Sequence, residues 1–452
     1  MRLEPEIRLT GLFWLPSDIE NKISGILTIS NGGKIELELF DSFKDKSLDY
    51  HSMSERFRIN GLVENSKFVT LDQCIYTHRN LVTRKAEIYA HFALIGVHLD
   101  DGEKATYNHL YFNVDSLSQW INMNGFTIEE GDSLLVKFTT PNPICFKLQN
   151  GMGLEFRFGY KGIKHPVVDN ASITQDVAIK LTSDTGQNLD NFVKVAHRIT
   201  HLLRLAIRKP VSIKEVSANL AGSSVTNLSN SRINIFYPST TFSQKTYNVH
   251  PYDILFRYPI VKDELPSILN KWLDLYDEMP NIMELYFRLA SEESTDIVGR
   301  FINFTKCLEG FHRTIDSSTK EWSEEEFTEI VASILEYCPQ KHEDWLRERL
   351  KHANELSLRQ RIKRMTKDFD CYWPDKKKFS DQITKLRNYY THYDPKTDKP
   401  VVDSIELTRL IYRMDCLFTL HLLKKVGFST ELLMKIVDNS IDFKEKLMRR
   451  YQ

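Results

Sequence analysis

The segment Lys385-Leu-Arg-Asn-Tyr-Tyr-Thr-His392 sets a permanently charged guanidinium (Arg387), an amide (Asn388) and an imidazole (His392) close together in the chain. Cleaving a phosphodiester without a metal needs one group to move protons near neutral pH and another to hold a phosphate. Histidine suits the first task and arginine the second. A pattern this short also arises by chance, and the chain supplies its own controls. Arg347 and His352 have the same spacing, and Arg84 with His91 a looser one. Context separates them. Arg347 sits among Glu343, Asp344, Glu348, Arg349 and Lys351, the alternating charges of a solvated helix face. Asn388 lies four residues before His392, so on a helix the two share a face and the amide can orient the imidazole. Asp394-Pro395 then turns the chain out of helix, because a residue before proline avoids the α region. That leaves His392 at a helix C-terminus, where the local dipole favours imidazolium. The bland alternative is an ordinary helix end with a surface arginine and a capping histidine.

The surrounding charge fits a phosphate-bearing partner. Arg359, Arg361, Lys363, Arg364 and Lys367 precede the segment, followed by Lys376, Lys377, Lys378 and Lys385, with Asp368, Asp370, Asp375 and Asp381 as the acids among them. In a chain whose formal net charge is −1, this local excess is the candidate phosphate-tracking surface, against the alternative of a solvated helix face. The near-neutral balance excludes a generally basic nucleic-acid-coating protein. Tyr389, Tyr390, Tyr372 and Trp373 are placed to stack on unpaired bases or to pack into a helical core. Six cysteines without paired spacing argue against a zinc ribbon or a disulfide framework and for a reducing compartment. The opening Met-Arg-Leu-Glu-Pro-Glu has no apolar signal core and no apolar run approaches twenty residues, so a cytoplasmic protein with no membrane partner is expected.

Two kinds of patterning must position these residues. Up to about residue 185 short alternating runs dominate. Ile23–Ile29 and Lys34–Leu39 flank Asn31-Gly32-Gly33, a hairpin signal, and strand-like runs follow at 57–62, 68–71, 85–93, 109–114, 134–139, 145–148 and 153–158. One helical pattern interrupts them, Leu189 to Lys209, stopped by Pro210. His197 and His201 lie four apart on it, a spacing that can ligate zinc, but no third ligand is evident nearby and an ordinary polar face is the simpler reading. A polar segment with a Ser/Asn-rich loop at Gly222–Ser231 completes the first domain. From Asp263 onward the period is helical: 265–279, 282–315 with a break near Ser291–Asp296, 323–336, 343–354, 357–368, 376–391, 404–426 and 429–449. The expected fold is α+β, a mostly antiparallel, sandwich-like β domain over 1–260 followed by an all-α bundle over 261–452.

An all-α C-terminal half with Arg-Asn-x-x-x-His ending a late helix resembles the HEPN superfamily. Glu309 and Arg313, in Lys306-Cys-Leu-Glu-Gly-Phe-His-Arg313, match the Glu-x3-Arg/Lys spacing on an earlier helix of such domains, and also make a plain intrahelical ion pair. Gly11-Leu-Phe-Trp-Leu-Pro16, Gly25-Ile-Leu-Thr28, Ile35-Glu-Leu-Glu-Leu-Phe40 and Phe68-Val-Thr-Leu-Asp-Gln-Cys74 look like the N-terminal domain of ApeA-type proteins, with Phe13 and Trp14 as sheet-packing aromatics. The resemblance covers nearly the whole chain and lies in the ordered pairing of both halves.

The resemblance implies a metal-independent endoribonuclease without cofactor, acting in abortive-infection defence against phage and cutting RNA, tRNA being a fair family-level expectation. Arg387, His392 and Asn388 would be catalytic, Asn388 orienting one of the other two or the substrate, with Lys385, Tyr390, Glu309, Arg313 and Arg364 binding substrate. HEPN nucleases pair two Arg/His sets about a two-fold axis, which implies a homodimer. The N-terminal domain would serve as a sensor with a phage protein as trigger. The alternative is a non-catalytic HEPN scaffold for nucleotide or RNA binding or for dimerisation.

Overall fold

The structure, a computed structural model, describes residues 1–43, 56–80, 82–162, 172–221, 232–291, 296–316, 319–392 and 402–448. The chain forms two compact units, Met1–Leu273 and Asp274–Gln452.

The first unit begins with strands β1 (Ile7–Leu15), β2 (Asp18–Ile29), β3 (Ile35–Leu39), β4 (Phe57–Val63), β5 (Lys67–Arg79) and β6 (Ala86–Ala90). They pair antiparallel in the order β5-β4-β1-β2-β3-β6, and β6 pairs back onto β5, so the sheet closes into a ring with no open edge. Alternation drives the closure. Ile35, Leu37 and Leu39 are buried while Glu36 and Glu38 face out, and Leu27 and Ile29 of β2 join them inside. Phe13 and Trp14 are core, as the sequence suggests. Gly61 makes room for Phe13: a Cβ there would meet its ring at 2.5 Å.

The run expected as one strand over 85–93 is two. β7 (Phe92–Ile95) leaves β6 at His91, staying on β5 but taking a new partner on its other edge. The sheet continues through β8 (Tyr107–Val114), β11 (Ile144–Lys147), β12 (Gly153–Lys161), β13 (Thr174–Gln187), β14 (Ile213–Leu220) and β15 (Ile233–Phe236), in the order β7-β15-β14-β8-β13-β12-β11. A separate hairpin, β9 (Phe126–Glu130) with β10 (Leu134–Phe138), stands outside it. The short α1 (Leu117–Ile121) and the long α2 (Leu189–Ile207) pack on β13. Asn188 caps α2 by accepting from the Asn191 N–H at 2.9 Å, and Arg208 ends it in the left-handed region. His201 on α2 is buried rather than part of a wet polar face, and burial pushes its pKa well below the ordinary value. The Gly222–Ser231 loop lies outside the described residues. The unit closes with α3 (Tyr258–Val261), while α4 (Leu265–Glu278) leads into the second.

Helices α5 (Pro280–Ser291), α6 (Ile297–Ile315), α7 (Glu324–Glu336), α8 (Glu343–Leu350), α9 (Leu358–Lys367), α10 (Lys376–His392), α11 (Ser404–Lys425), α12 (Thr430–Asn439) and α13 (Ile441–Met448) make up the second unit. The all-α half is therefore as expected, with two refinements. Asp296 starts α6 as an N-cap, accepting from the Gly299 N–H at 2.9 Å. The final helix is two: Ser440 adopts an extended conformation while its N–H still closes onto the Ile436 carbonyl. Packed helices α6 and α11 supply much of the core, through Phe301, Phe304, Leu308, Phe311, Leu410, Met414, Phe418 and Leu422. α9 and α10 pack on α6 and on each other. α7 and α8 are different: Leu335 is the buried residue of α7 and α8 has none, although Asn354 ties the base of this arm by hydrogen bonds to both the N–H and the carbonyl of Trp322.

Candidate active site on the outer face of a helix

α10 is positioned by a strip of inward residues. Phe379, Ser380, Ile383 and Leu386 are buried, and steps of three and four keep them on one side of a helix. Trp373, just before it, is fully buried and plugs the turn into the core. At 3.6 residues per turn the opposite side carries Lys377, Asp381, Lys385, Asn388 and His392. His392 ends the helix, is exposed, and makes no hydrogen bond or ion pair among the described residues. Asp394 and Pro395 lie outside the described residues.

Arg387 is five residues from His392, about 140° away around the axis, so helical phase alone does not bring the two together. Arg387 Nη1 donates to Asn388 Oδ1 at 3.2 Å, and Asn388 shares its face of the helix with His392. Thr391 Oγ1 donates to the Arg387 carbonyl at 2.7 Å. Asn388 thus contacts the guanidinium, one of the groups that the sequence reading offers it to orient.

The same face borders a cleft of about 1090 Å³ lined by Lys385 and Asn388 together with Arg359, Lys376, Lys377 and Lys378. The basic run therefore divides. Arg361, grouped with its neighbours by sequence, is 1 % exposed and donates to the Leu356 carbonyl. Arg364 lies 3.8 Å from Asp316.

The remaining predicted residues fall elsewhere. Tyr390 is half-buried and sets its ring edge-on to Phe301 of α6 with centroids 6.1 Å apart. Glu309 and Arg313 pair at 3.1 Å, and Arg313 also reaches Glu355 at 2.9 Å. The arginine holds the Glu355 carboxyl below its ordinary pKa. Asp316 accepts from His312 Nε2 at 3.2 Å, and His312 Nδ1 meets Arg361 Nη1 at 3.3 Å. Burial lowers the His312 pKa. Glu309, Arg313 and Arg364 thus belong to a charged cluster built on α6 and α9, and none of them hydrogen-bonds to Arg387 or His392 among the described residues. As for the control pairs, Arg347 is bound to Glu343 at 2.6 Å on exposed α8, and Arg84 to Asp41 at 2.9 Å.

One residue that sequence reasoning counted only as a stray acid proves structural. Asp375 accepts two hydrogen bonds from Arg413 of α11, at 2.7 and 2.8 Å, a bidentate pair that fixes the start of α10. Nothing in the spacing of residues 375 and 413 signals it.

The chain thus joins a β-rich unit, whose first six strands close into a ring, to an all-α unit whose α10 carries Arg387, Asn388 and His392. Residues 8–272 match ApeA N-terminal domain 1 and residues 302–432 match the Apea-like HEPN domain. The first match spans more than half of the chain, which therefore belongs to the ApeA family and has the architecture of a HEPN-family defence protein. No curated protein and no solved structure matches it.

Proposed function

We propose that this protein is a metal-independent endoribonuclease of the HEPN class that acts in the cytoplasm of a bacterium as an abortive-infection toxin against phage. The observation that supports this best is the Arg387–Asn388 hydrogen bond, which ties the guanidinium to a residue on the helix face that ends in His392.

RNA brings its own nucleophile. The 2′ oxygen attacks the adjacent phosphorus, losing its proton as the P–O5′ bond breaks, and the departing 5′ oxygen takes up a proton. The products are a 2′,3′-cyclic phosphate and a 5′-hydroxyl. His392 moves a proton, an effect worth about 10²–10⁴-fold. Arg387 neutralises charge on the equatorial oxygens, a fixed donor worth about 10²–10³-fold. One imidazole cannot both accept and donate in a single step. A C2 homodimer that places two His392 side chains about one phosphate supplies the second. tRNA is the proposed substrate, and the β-rich unit is the proposed sensor, released by a phage protein. The site invokes no metal, so cleavage is expected to survive excess chelator.

Sequencing of RNA ends after induction of the wild type and of His392→Ala tests the assignment. New ends in the wild type that vanish in the variant are expected. Identical ends in both remove His392 from the chemistry. Purified protein that binds RNA without cutting it, even with the trigger present, leaves a non-catalytic scaffold.

A further inference from the structure

We propose that the cleft along the outer face of α10 is a subsite for the phosphodiesters that flank the scissile bond of a single-stranded RNA. The proposal rests on the assignment of Arg387 and His392 above and adds where the rest of the strand lies.

Charge supplies the first argument. Each acid lining the cleft is already engaged. Asp375 is held by Arg413, Asp381 by Arg359 at 2.6 Å, and Glu406 accepts from Gln382 Nε2 at 2.9 Å. Lys377 and Lys385 have no carboxylate within ion-pair distance among the described residues, and both line the cleft. The uncommitted charge is therefore positive, which suits an anionic occupant.

Spacing supplies the second. Lys377 and Lys385 are eight residues apart, about 12 Å along the helix axis, and Lys385 precedes His392 by about 10 Å at the same rise. Lys377, Lys385, Asn388 and His392 lie on one face, so the cations form a track leading to the imidazole rather than a ring around a single phosphate. A polyanion with regularly spaced charges matches that arrangement better than a mononucleotide does. The lining contains Pro374, Leu386 and Val402 but no aromatic ring among the described residues. Lysine contacts to phosphates carry no sequence information, so the cleft adds affinity with weak sequence selection.

Binding of a fluorescent 2′-O-methyl RNA 12-mer to the full-length protein tests this apart from catalysis, because the blocked 2′ oxygen cannot attack. For single strands the slope of log K against log salt is about −0.7 for each phosphate neutralised. The Lys377→Gln/Lys385→Gln double variant is expected to flatten the wild-type slope by ~1.4. The wild-type slope in the double variant would overturn the proposal, as would displacement of the 12-mer by adenosine monophosphate at comparable concentration. Cleavage that persists in His392→Ala would instead sink the catalytic assignment, and the salt slope would still decide whether the cleft holds a strand.

Discussion

Arg387 and His392 do not meet by helical phase. They are about 140° apart on α10, and Asn388, on the face that holds His392, accepts from the guanidinium. We propose that Asn388 is a positioning residue, and misplaced groups cost up to roughly a hundredfold in rate. Asn388→Ala is expected to lower kcat for RNA cleavage about tenfold, while Asn388→Asp, which keeps the accepting oxygen, retains most of it. Equal losses in both variants would show that the amide acts in some other way. His392→Ala should lower kcat by at least a hundredfold and leave the melting temperature unchanged, since the ring is exposed and buries nothing.

Among the elements, α10 depends on a contact that chemistry at its far end never touches. Arg413 is 4 % exposed at its side chain, and removing Asp375 would leave its charge buried without this partner. Asp375→Ala is expected to destabilise the helical unit by about 3 kcal/mol in urea denaturation. Hydrogen bonding by Arg413 depresses the Asp375 pKa from its ordinary 3.8. A depressed carboxylate contributes fully above its unfolded value and loses that contribution as pH falls through the folded one. The penalty should therefore be equal at pH 7 and pH 5. By contrast α7 and α8 bury almost nothing, with Trp322, Tyr337 and Trp345 at least half exposed. Their amides should exchange with solvent far faster than those of α6 and α11, and comparable protection would disprove the weakness of the arm.

For the whole molecule, the histidines of the helical core link stability to acidity. His421 is 5 % exposed, its Nε2 is 3.0 Å from the Met365 carbonyl, and burial lowers its pKa to about 4. The unfolded chain protonates this ring near 6.5 while the folded one resists, so the unfolded state binds more protons between those values and stability falls as pH drops from 6.5 toward 4. His421→Gln should lose less stability than the wild type across that window, measured by urea denaturation at each pH. Unchanged pH dependence would mean other groups dominate. At this scale the proposed dimer also becomes measurable. Light scattering should give twice the 52.9 kDa chain mass for the wild type and for His392→Ala alike.

Sequence by itself determined the class of each half, because period-two and period-3.6 burial are properties of neighbouring residues. Ile35–Leu39 reads as a strand and Leu189–Ile207 as a helix for that reason. It also determined the Arg-Asn-x3-His spacing and the resemblance that named the family. The β run over 174–187 was missed, since Val177, Ile179 and Leu181 are diluted by polar neighbours whose outward direction only pairing with β8 and β12 fixes. Pairing also decided the closure of β6 onto β5, a contact between strand edges that no hydrophobic pattern records. Within the basic run, Arg361 went to the core, Arg364 to Asp316 and Lys377 and Lys385 to the cleft. A charge reads the same in sequence wherever it points, and only packing of α9, α10 and α11 assigns each one a side.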